Sequence, residues 1–203
     1  LSNELCSLRP HEDKLTFAAV FEIDDKLKIK KEWFGRTIIH SDVRFSYEEA
    51  QVILEKGMGE LAEELRILND IAKRLRKERF KKGAVNFETT EVKFKLDKDG
   101  KPLGVYEKVM GPANWLIEEF MLLANKRVAT WVNARPPGKE SKHQRGTRPF
   151  VYRIHDQPDP EKIDQLRTLA KSFGHTLRYA DASELPHAIN DLLKDVRGTE
   201  EEN

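Results

Sequence analysis

One carboxylate and two amides lie on the same side of a segment that is otherwise apolar. Asn114, Glu118 and Asn125 follow one another at intervals of four and seven residues, which places them along one narrow stripe of an α-helix. A buried polar stripe requires hydrogen-bond partners, whereas most helical glutamates face solvent. The spacing therefore marks Glu118 as a candidate polar site, and it leaves open whether the stripe binds a ligand or is only the solvent side of the helix.

Two further features resemble reactive groups but lack partners in the sequence. Asp24 and Asp25 are adjacent in a lysine-rich stretch, and we interpret them as turn residues rather than as metal ligands. Cys6 is the single cysteine. No histidine is identifiable as its base, so we expect a small buried hydrophobic residue and not a nucleophile. No group of cysteines and histidines has zinc-finger spacing, and structural zinc is not expected.

Total charge gives no argument for nucleic-acid binding, because 36 basic residues are balanced by 35 acidic ones and the net charge is +1. Basic residues are nevertheless concentrated in two segments, residues 73–82 and 134–148. The first either complements a helix macrodipole and is solvated or binds RNA, and the second is either a solvated loop or an RNA contact. No apolar stretch approaches the roughly 20 residues of a membrane span, and we expect a soluble, cytoplasmic protein.

Strand-like and helix-like segments alternate along the chain. Ser46 followed by Glu49 predicts a capping-box start for the first helix, and Gly57 predicts its end. The other predicted helices cover residues 60–82, 111–132, 159–174 and 183–196. Predicted strands cover residues 15–23, 29–39, 84–87, 91–96, 103–108 and 150–155. The first two form a long hairpin, and the next three form a small antiparallel sheet.

These elements predict an α+β fold in which mixed or antiparallel β-hairpins pack with several α-helices. The helix over residues 111–132 is predicted to be central and most buried, because its apolar residues cover much more than one stripe. We expect residues 1–203 to form a single domain. The polar, unfinished character of both termini predicts that both are cuts within a longer protein.

Several strings resemble the catalytic RNB domain of the ribonuclease R and ribonuclease II family of exoribonucleases, and they occur in family order. Residues 1–10 (LSNELCSLRP), followed by Asp13-Lys14-Leu15, resemble the segment after the first catalytic loop of that family. The other matching strings are residues 39–47 (IHSDVRFSY), 86–89 (NFET), 117–125 (IEEFMLLAN) and 152–156 (YRIHD), with Pro158, Pro160, Glu161 and Lys162. The resemblance is closer to ribonuclease R than to ribonuclease II, and the fold it implies is part of an RNB domain.

The resemblance implies processive 3′-to-5′ hydrolysis of single-stranded RNA to nucleoside 5′-monophosphates. The family uses two Mg²⁺ ions held by a cluster of aspartates to activate water. By comparison with the family, that cluster lies upstream of residue 1, and an arginine motif that supports the scissile phosphate lies downstream of residue 203. We therefore expect no catalytic or metal-binding residues in this chain, no bound Mg²⁺, and no activity from the chain alone.

The resemblance also implies which residues contact RNA. Glu118 matches the family glutamate that accepts a hydrogen bond from the ribose 2′-hydroxyl, and Asn125 continues its stripe. Phe87 matches an aromatic residue that stacks on a base near the 3′ end, although ordinary strand packing explains a phenylalanine there equally well. Arg9 and Arg44 are candidate phosphate contacts. Lys14 and His40 are further candidates, and surface solvation is the alternative for all four.

Two other functions stay open at this point. The chain is either a non-catalytic module that binds single-stranded RNA or a structural part of the domain with no ligand of its own. The expected partners are single-stranded RNA and the missing portions of its own catalytic domain, and no membrane is expected. An upstream aspartate-rich motif in the same reading frame would favour the exoribonuclease.

Overall fold

The α+β fold predicted from the sequence is confirmed. A computed structural model of the protein describes residues 4–85, 91–108, 110–134 and 150–199. In these residues the elements are β1 Asp13–Ile23, β2 Ile29–His40, α1 Tyr47–Lys56, α2 Ala62–Lys81, β3 Glu91–Leu96, β4 Pro102–Lys108, α3 Pro112–Ala134, α4 Pro160–Ser172 and α5 Leu185–Val196. The strands form two separate antiparallel pairs, β1 with β2 and β3 with β4.

The chain divides into two compact units. The first comprises residues 1–75 and 110–152, and the second comprises residues 76–109 and 153–203. The β1–β2 hairpin and helices α1 and α3 belong to the first unit. The β3–β4 hairpin and helices α4 and α5 belong to the second, and the division falls within α2.

Asp24 forms the turn of the first hairpin. Its Oδ1 atom accepts hydrogen bonds from the backbone N–H groups of Lys26 at 3.0 Å and Lys28 at 2.8 Å. Its Oδ2 atom lies 2.9 Å from Nζ of Lys30, and Leu27 adopts a left-handed conformation with φ of 60°. Both carboxylate oxygens are thus engaged in the turn, as turn chemistry requires.

Helix α1 has the capping box that the sequence predicts. The Ser46 hydroxyl accepts from the backbone N–H of Glu49 at 3.2 Å, and the Glu49 carboxylate accepts from the backbone N–H of Ser46 at 2.7 Å. Gly57 ends the helix with φ of 67°, a conformation that favours glycine because it has no Cβ. Both helix ends are therefore determined by residues within a few positions in the sequence.

A cluster of partly buried aromatic side chains forms where α3 meets the β1–β2 hairpin in the first unit. The Phe34 ring packs against Phe21 at 5.9 Å and against Trp131 at 5.2 Å between ring centroids. Arg127 of α3 donates to the Glu32 carboxylate of β2 at 2.6 Å, and the two side chains are 35% and 24% exposed. An aromatic cluster and a partly buried ion pair therefore join the second half of α3 to the sheet.

Helix α3 is less enclosed than its composition predicts. Ala113, Leu116 and Glu119 are buried, but Met121 is 59% exposed and Leu122 is 41% exposed. One side of the helix faces the core of its unit, and a largely apolar opposite side faces solvent.

Helix α2 buries most of its predicted apolar stripe but not all of it. The leucine and alanine spacing predicts Leu68 on the core side, but Leu68 is 38% exposed and the adjacent Asn69 is buried at 8%. Ala72 is buried as expected, and Leu65 and Leu75 are partly buried. The buried side of the helix thus includes Asn69 in place of Leu68.

The core of the second unit lies between α4, α5 and the segment that joins them. Ala170, Leu177 and Leu192 are its buried residues. Asp159 caps α4 by accepting from the backbone N–H of Glu161 at 2.9 Å, as the sequence predicts. The strand predicted at residues 150–155 is not formed, and these residues have no regular secondary structure.

Replacement of Ser46 by alanine tests the capping box. We expect Ser46→Ala to lower the free energy of unfolding by about 1 kcal/mol, because the backbone N–H of Glu49 loses its side-chain acceptor. Urea denaturation followed by circular dichroism measures the change. Ser46→Thr retains a capping hydroxyl and serves as the control, and equal destabilisation by both substitutions would contradict the explanation.

The Arg127–Glu32 pair allows a second test of the fold. We expect Arg127→Gln to destabilise the protein by about 1–2 kcal/mol, between the values for exposed and buried ion pairs. A double-mutant cycle with Glu32→Gln should show that the two effects are not additive. Lys126→Gln, at the adjacent exposed position, is the control. Full additivity of Arg127→Gln and Glu32→Gln would show that the pair is not coupled.

Candidate nucleic-acid interface

The start of α3 is held in place by two side-chain amides. The backbone N–H of Ala113 donates to Oε1 of Gln51, a residue of α1, at 3.0 Å. The backbone N–H of Gly111 donates to Oδ1 of Asn114 at 3.1 Å. These bonds satisfy N–H groups that a helix start leaves without intrahelical acceptors. Asn114 thus serves the helix start, and α1 is fixed against α3.

Glu118 lies one turn beyond Asn114, and its side chain is half-buried. Asn125 is exposed, and Met121 lies between them on the same stripe of the helix with 59% exposure. Intervals of four, three and four residues place Asn114, Glu118, Met121 and Asn125 along one side of α3. The stripe therefore combines a carboxylate, an amide and an exposed thioether, groups that can contact a ribose and an apolar base face.

Glu119 was not identified from the sequence, although it is the more buried of the two adjacent glutamates. It is only 3% exposed. In the described residues no buried side-chain nitrogen or oxygen lacks a hydrogen-bond partner. The intervals of three from Ala113 to Leu116 and from Leu116 to Glu119 indicate that these residues share a face. This periodicity was the available signal that Glu119 points inward and Glu118 does not.

Arg9 is engaged with neighbouring carboxylates. Its guanidinium binds Glu12 through two nitrogens and lies 3.8 Å from the Glu4 carboxylate. The hydrogen bond from Arg9, with a second from Lys14, lowers the pKa of Glu12, and the hydrogen bond to Glu12 raises the pKa of Arg9. Exposed pairs of this kind contribute little to stability. Arg9 can therefore exchange Glu12 for another anion at small cost.

Arg44 is exposed in the segment between β2 and α1. The backbone of this segment lies beside the one that carries Arg9, because Pro10 bridges Ser41 and the N–H of His11 donates to the Ser41 carbonyl at 2.7 Å. The two arginines thus come from adjoining segments of the first unit. Of the other candidates, His40 pairs with Asp13 at 2.8 Å, and Lys14 lies 3.2 Å from Glu12.

Several sequence-predicted features lie outside the described residues or differ from expectation. Phe87 and residues 135–149 of the basic loop are outside the part of the chain that the structure describes. Cys6 is exposed and not buried. It precedes β1 in a turn, where little surrounds it, so the prediction of a small buried hydrophobic residue is wrong.

The described residues do not offer the ligand set that Mg²⁺ requires. Among them, no three histidine, cysteine, aspartate or glutamate side chains come together in a group that could hold a metal ion. Asp24 is engaged with backbone N–H groups and Lys30. The described residues therefore provide no metal site. Of the helices described, none is both long enough and apolar enough to cross a membrane.

Comparison with known proteins identifies the family. The family model described as "RNB domain" matches residues 1–203. Ribonuclease R of Aquifex aeolicus is 30% identical over 209 residues, an alignment that covers 100% of this chain and 28% of that protein. DIS3-like exonuclease 2 of Schizosaccharomyces pombe is 40% identical over 191 residues, covering 85% of this chain and 19% of that protein. The chain thus spans less than a third of the length of these relatives.

Solved structures show the same fold. RNase R of Mycoplasma genitalium in complex with ribose-methylated single-stranded RNA has a TM-score of 0.79 at 21% identity, over 98% of this chain and 30% of that one. The same enzyme in complex with double-stranded RNA has a TM-score of 0.78 at 22% identity, over 98% of this chain and 34% of that one. Because a family model matches the whole sequence, the chain belongs to the RNB domain family.

Proposed function

We propose that this chain supplies part of the RNA-binding surface of a 3′-to-5′ exoribonuclease. In this proposal the whole enzyme degrades single-stranded RNA processively and releases nucleoside 5′-monophosphates. The observation that carries the proposal is a half-buried Glu118 on the outer side of α3, in a chain that matches the RNB domain over its whole length. A fold alone does not determine function, and for that reason the proposal rests on this carboxylate as well.

Glu118 is proposed to read the ribose. An ionised carboxylate accepts hydrogen bonds only, so it can accept from a 2′-hydroxyl and gains nothing from deoxyribose. Partial burial strengthens such a bond because fewer water molecules compete for the carboxylate. Met121 and Asn125, next along the stripe, would contact the neighbouring nucleotide. Phe87, outside the described residues, is proposed to stack on a base.

Arg9 and Arg44 are proposed to contact phosphates. Arg44 is exposed, and Arg9 is held by Glu12 at the surface. A phosphate replaces a carboxylate readily because guanidinium binds both in the same two-pronged geometry. The two arginines would position the strand, while Glu118 distinguishes RNA from DNA.

The catalytic Mg²⁺ ions are proposed to bind to carboxylates that are not part of this chain. We further propose that this chain alone does not hydrolyse RNA, and that the protein acts in the cytoplasm. One face of the β1–β2 hairpin supports a role within a larger domain, since Leu15 is 85% exposed, Phe17 80% and Ile38 67%. Apolar surface of this kind marks an interaction site. We propose that other portions of the RNB domain cover it.

Replacement of Glu118 tests ribose recognition. We expect Glu118→Gln to weaken binding of a single-stranded RNA by about tenfold or more, the effect of losing one charge-assisted hydrogen bond. Binding of a DNA of the same sequence should not weaken, because the substitution removes only repulsion of its phosphates. Fluorescence anisotropy with labelled oligonucleotides measures both affinities for the 203-residue chain.

Glu64→Gln is the matched control, because Glu64 is an exposed helical glutamate of the same unit. It should leave both affinities unchanged. An equal loss of RNA and DNA affinity in Glu118→Gln, or an unchanged preference for RNA, would contradict ribose recognition by Glu118.

The expected inactivity of the chain is tested separately. We expect no shortening of a 5′-labelled single-stranded RNA in the presence of Mg²⁺, because the described residues hold no group of metal ligands. Gel electrophoresis of the labelled RNA over time measures this. Trimming that persists after repeated purification and disappears with a chelator would show that the chain carries a metal site. RNA binding without trimming is also the behaviour of a non-catalytic module, and catalysis by a longer protein containing this chain would decide between the two.

A further inference from the structure

We propose that the end of α2 and one side of α5 form a cationic groove that binds the sugar–phosphate backbone of single-stranded nucleic acid. The groove belongs to the second unit. Its α2 side is part of the basic segment 73–82, for which the sequence left RNA binding open, and it contains none of the residues proposed above to contact RNA. The inference rests on the proposed function in one respect only, namely that RNA is the polyanion the protein meets.

The walls of the groove are held together by specific contacts. Nδ2 of Asn190 in α5 donates to the carbonyl of Ala84 at 2.8 Å. Gly83, with φ of 91°, lies close to α5, since a Cβ at this position would be 3.5 Å from Cβ of Pro186. A cavity of about 300 Å³ is lined by Phe80 from α2 and by residues of α5 and its C-cap that include His187, Lys194 and Arg197. The cavity is thus formed by two elements in fixed contact.

The groove concentrates positive charge in a chain whose net charge is only +1. Residues 76–82 contain five basic residues and one acidic residue. The residues of α5 and its C-cap that line the cavity include Lys194 and Arg197 with one acidic residue, Asp191. With His187 neutral, residues 76–82 carry a net charge of +4 and these lining residues add +1, whereas Asp195 of α5 does not line the cavity. Local concentration of one sign in a concave surface attracts a polyanion more strongly than the total charge indicates.

Among the described residues, the two carboxylates counted above are each paired with a lysine. Glu78 lies 2.9 Å from Nζ of Lys81, and Asp191 lies 2.8 Å from Nζ of Lys194. The hydrogen bond from each lysine lowers the pKa of its carboxylate partner. Both pairs are exposed, so a phosphate can compete for the lysines at little cost.

Phe80 organises two arginines next to the cavity. The guanidinium carbons of Arg76 and Arg79 lie 4.8 Å and 5.1 Å from the centroid of the Phe80 ring. A guanidinium held against an aromatic ring loses less freedom when it binds a ligand, and its planar fork fits phosphate oxygens. Because the ring holds the two guanidinium groups in place, it favours direct binding of a phosphate group over loosely associated counterions.

The length of the charged segment favours a polymer over a single phosphate. Residues 76–82 extend about 9 Å along the helix axis. Neighbouring phosphates of one nucleic-acid strand are closer together than this length, so more than one of them can lie along the segment. A repeating anion can engage several of these cations together, whereas an isolated phosphate can engage only one or two.

The test compares two double substitutions in the full 203-residue chain. Lys194→Gln with Arg197→Gln removes charge from the groove, and Lys162→Gln with Lys171→Gln removes the same charge from exposed positions on α4. Binding of RNA and DNA oligonucleotides of one sequence, about 16 nucleotides long, is measured over a range of salt concentrations. Lys77→Gln with Lys82→Gln is a second groove variant, used if the first does not keep the parent circular-dichroism spectrum.

We expect the groove variant to bind both RNA and DNA about tenfold more weakly at about 50 mM salt, because a phosphate contact does not depend on the sugar. The slope of log K against log salt should become shallower by about 1.4 for two lost contacts. The α4 variant should match the parent protein. Glu118→Gln should reduce RNA binding alone, so failure of ribose recognition is distinguishable from failure of the groove.

Three results would overturn the groove. One is that the groove variant binds RNA and DNA as tightly as the parent protein does. The same result is expected if the groove binds an acidic protein. Another is an equal loss in the α4 variant, which would mean that total charge and not the groove determines binding. The last is no binding of either strand by the parent protein at about 20 mM salt, where phosphate contacts are strongest.

Discussion

The rotation of α3 about its own axis is the constraint on which the candidate interface depends. Gln51 holds the first turn, the buried Glu119 lies in the second, and Arg127 with Trp131 joins the last turns to the sheet. A helix turned by one position would bury Glu118 and expose Glu119. Contacts at both ends oppose this, because a rotation of the helix about its axis breaks all of them. Ribose recognition, if Glu118 provides it, thus depends on residues that touch no ligand.

Features determined by neighbouring residues could be predicted from the sequence. The turn at Asp24, the capping box of Ser46 and Glu49, and the cap of α4 at Asp159 each need only bonds within about four positions. Helix and strand positions followed from these signals and from periodicity. The α+β class followed in turn, since hairpins and amphipathic helices must cover one another.

Features determined by distant contacts could not be predicted in the same way. Asn69 replaces Leu68 on the buried side of α2, and residues 150–155 form no strand in spite of their composition. Both outcomes depend on the residues that pack nearby, and intrinsic secondary-structure propensities do not take these residues into account. Within the site, helical spacing identified the stripe of Glu118. The same helical spacing, counted from Ala113 and Leu116, indicates that Glu119 is buried.

In the roles proposed for Glu118 and the basic residues, specificity and affinity have different sources. A single half-buried carboxylate repels phosphate, and it is useful only where a sugar hydroxyl approaches it closely. Cations attract every nucleic acid equally and give no discrimination. A surface that used both at one point would cancel its own field. Glu118 on α3 and the basic residues at the end of α2 belong to different units. In the roles proposed above, one carboxylate selects ribose, and the attraction for a long strand comes from cations at other positions of the chain.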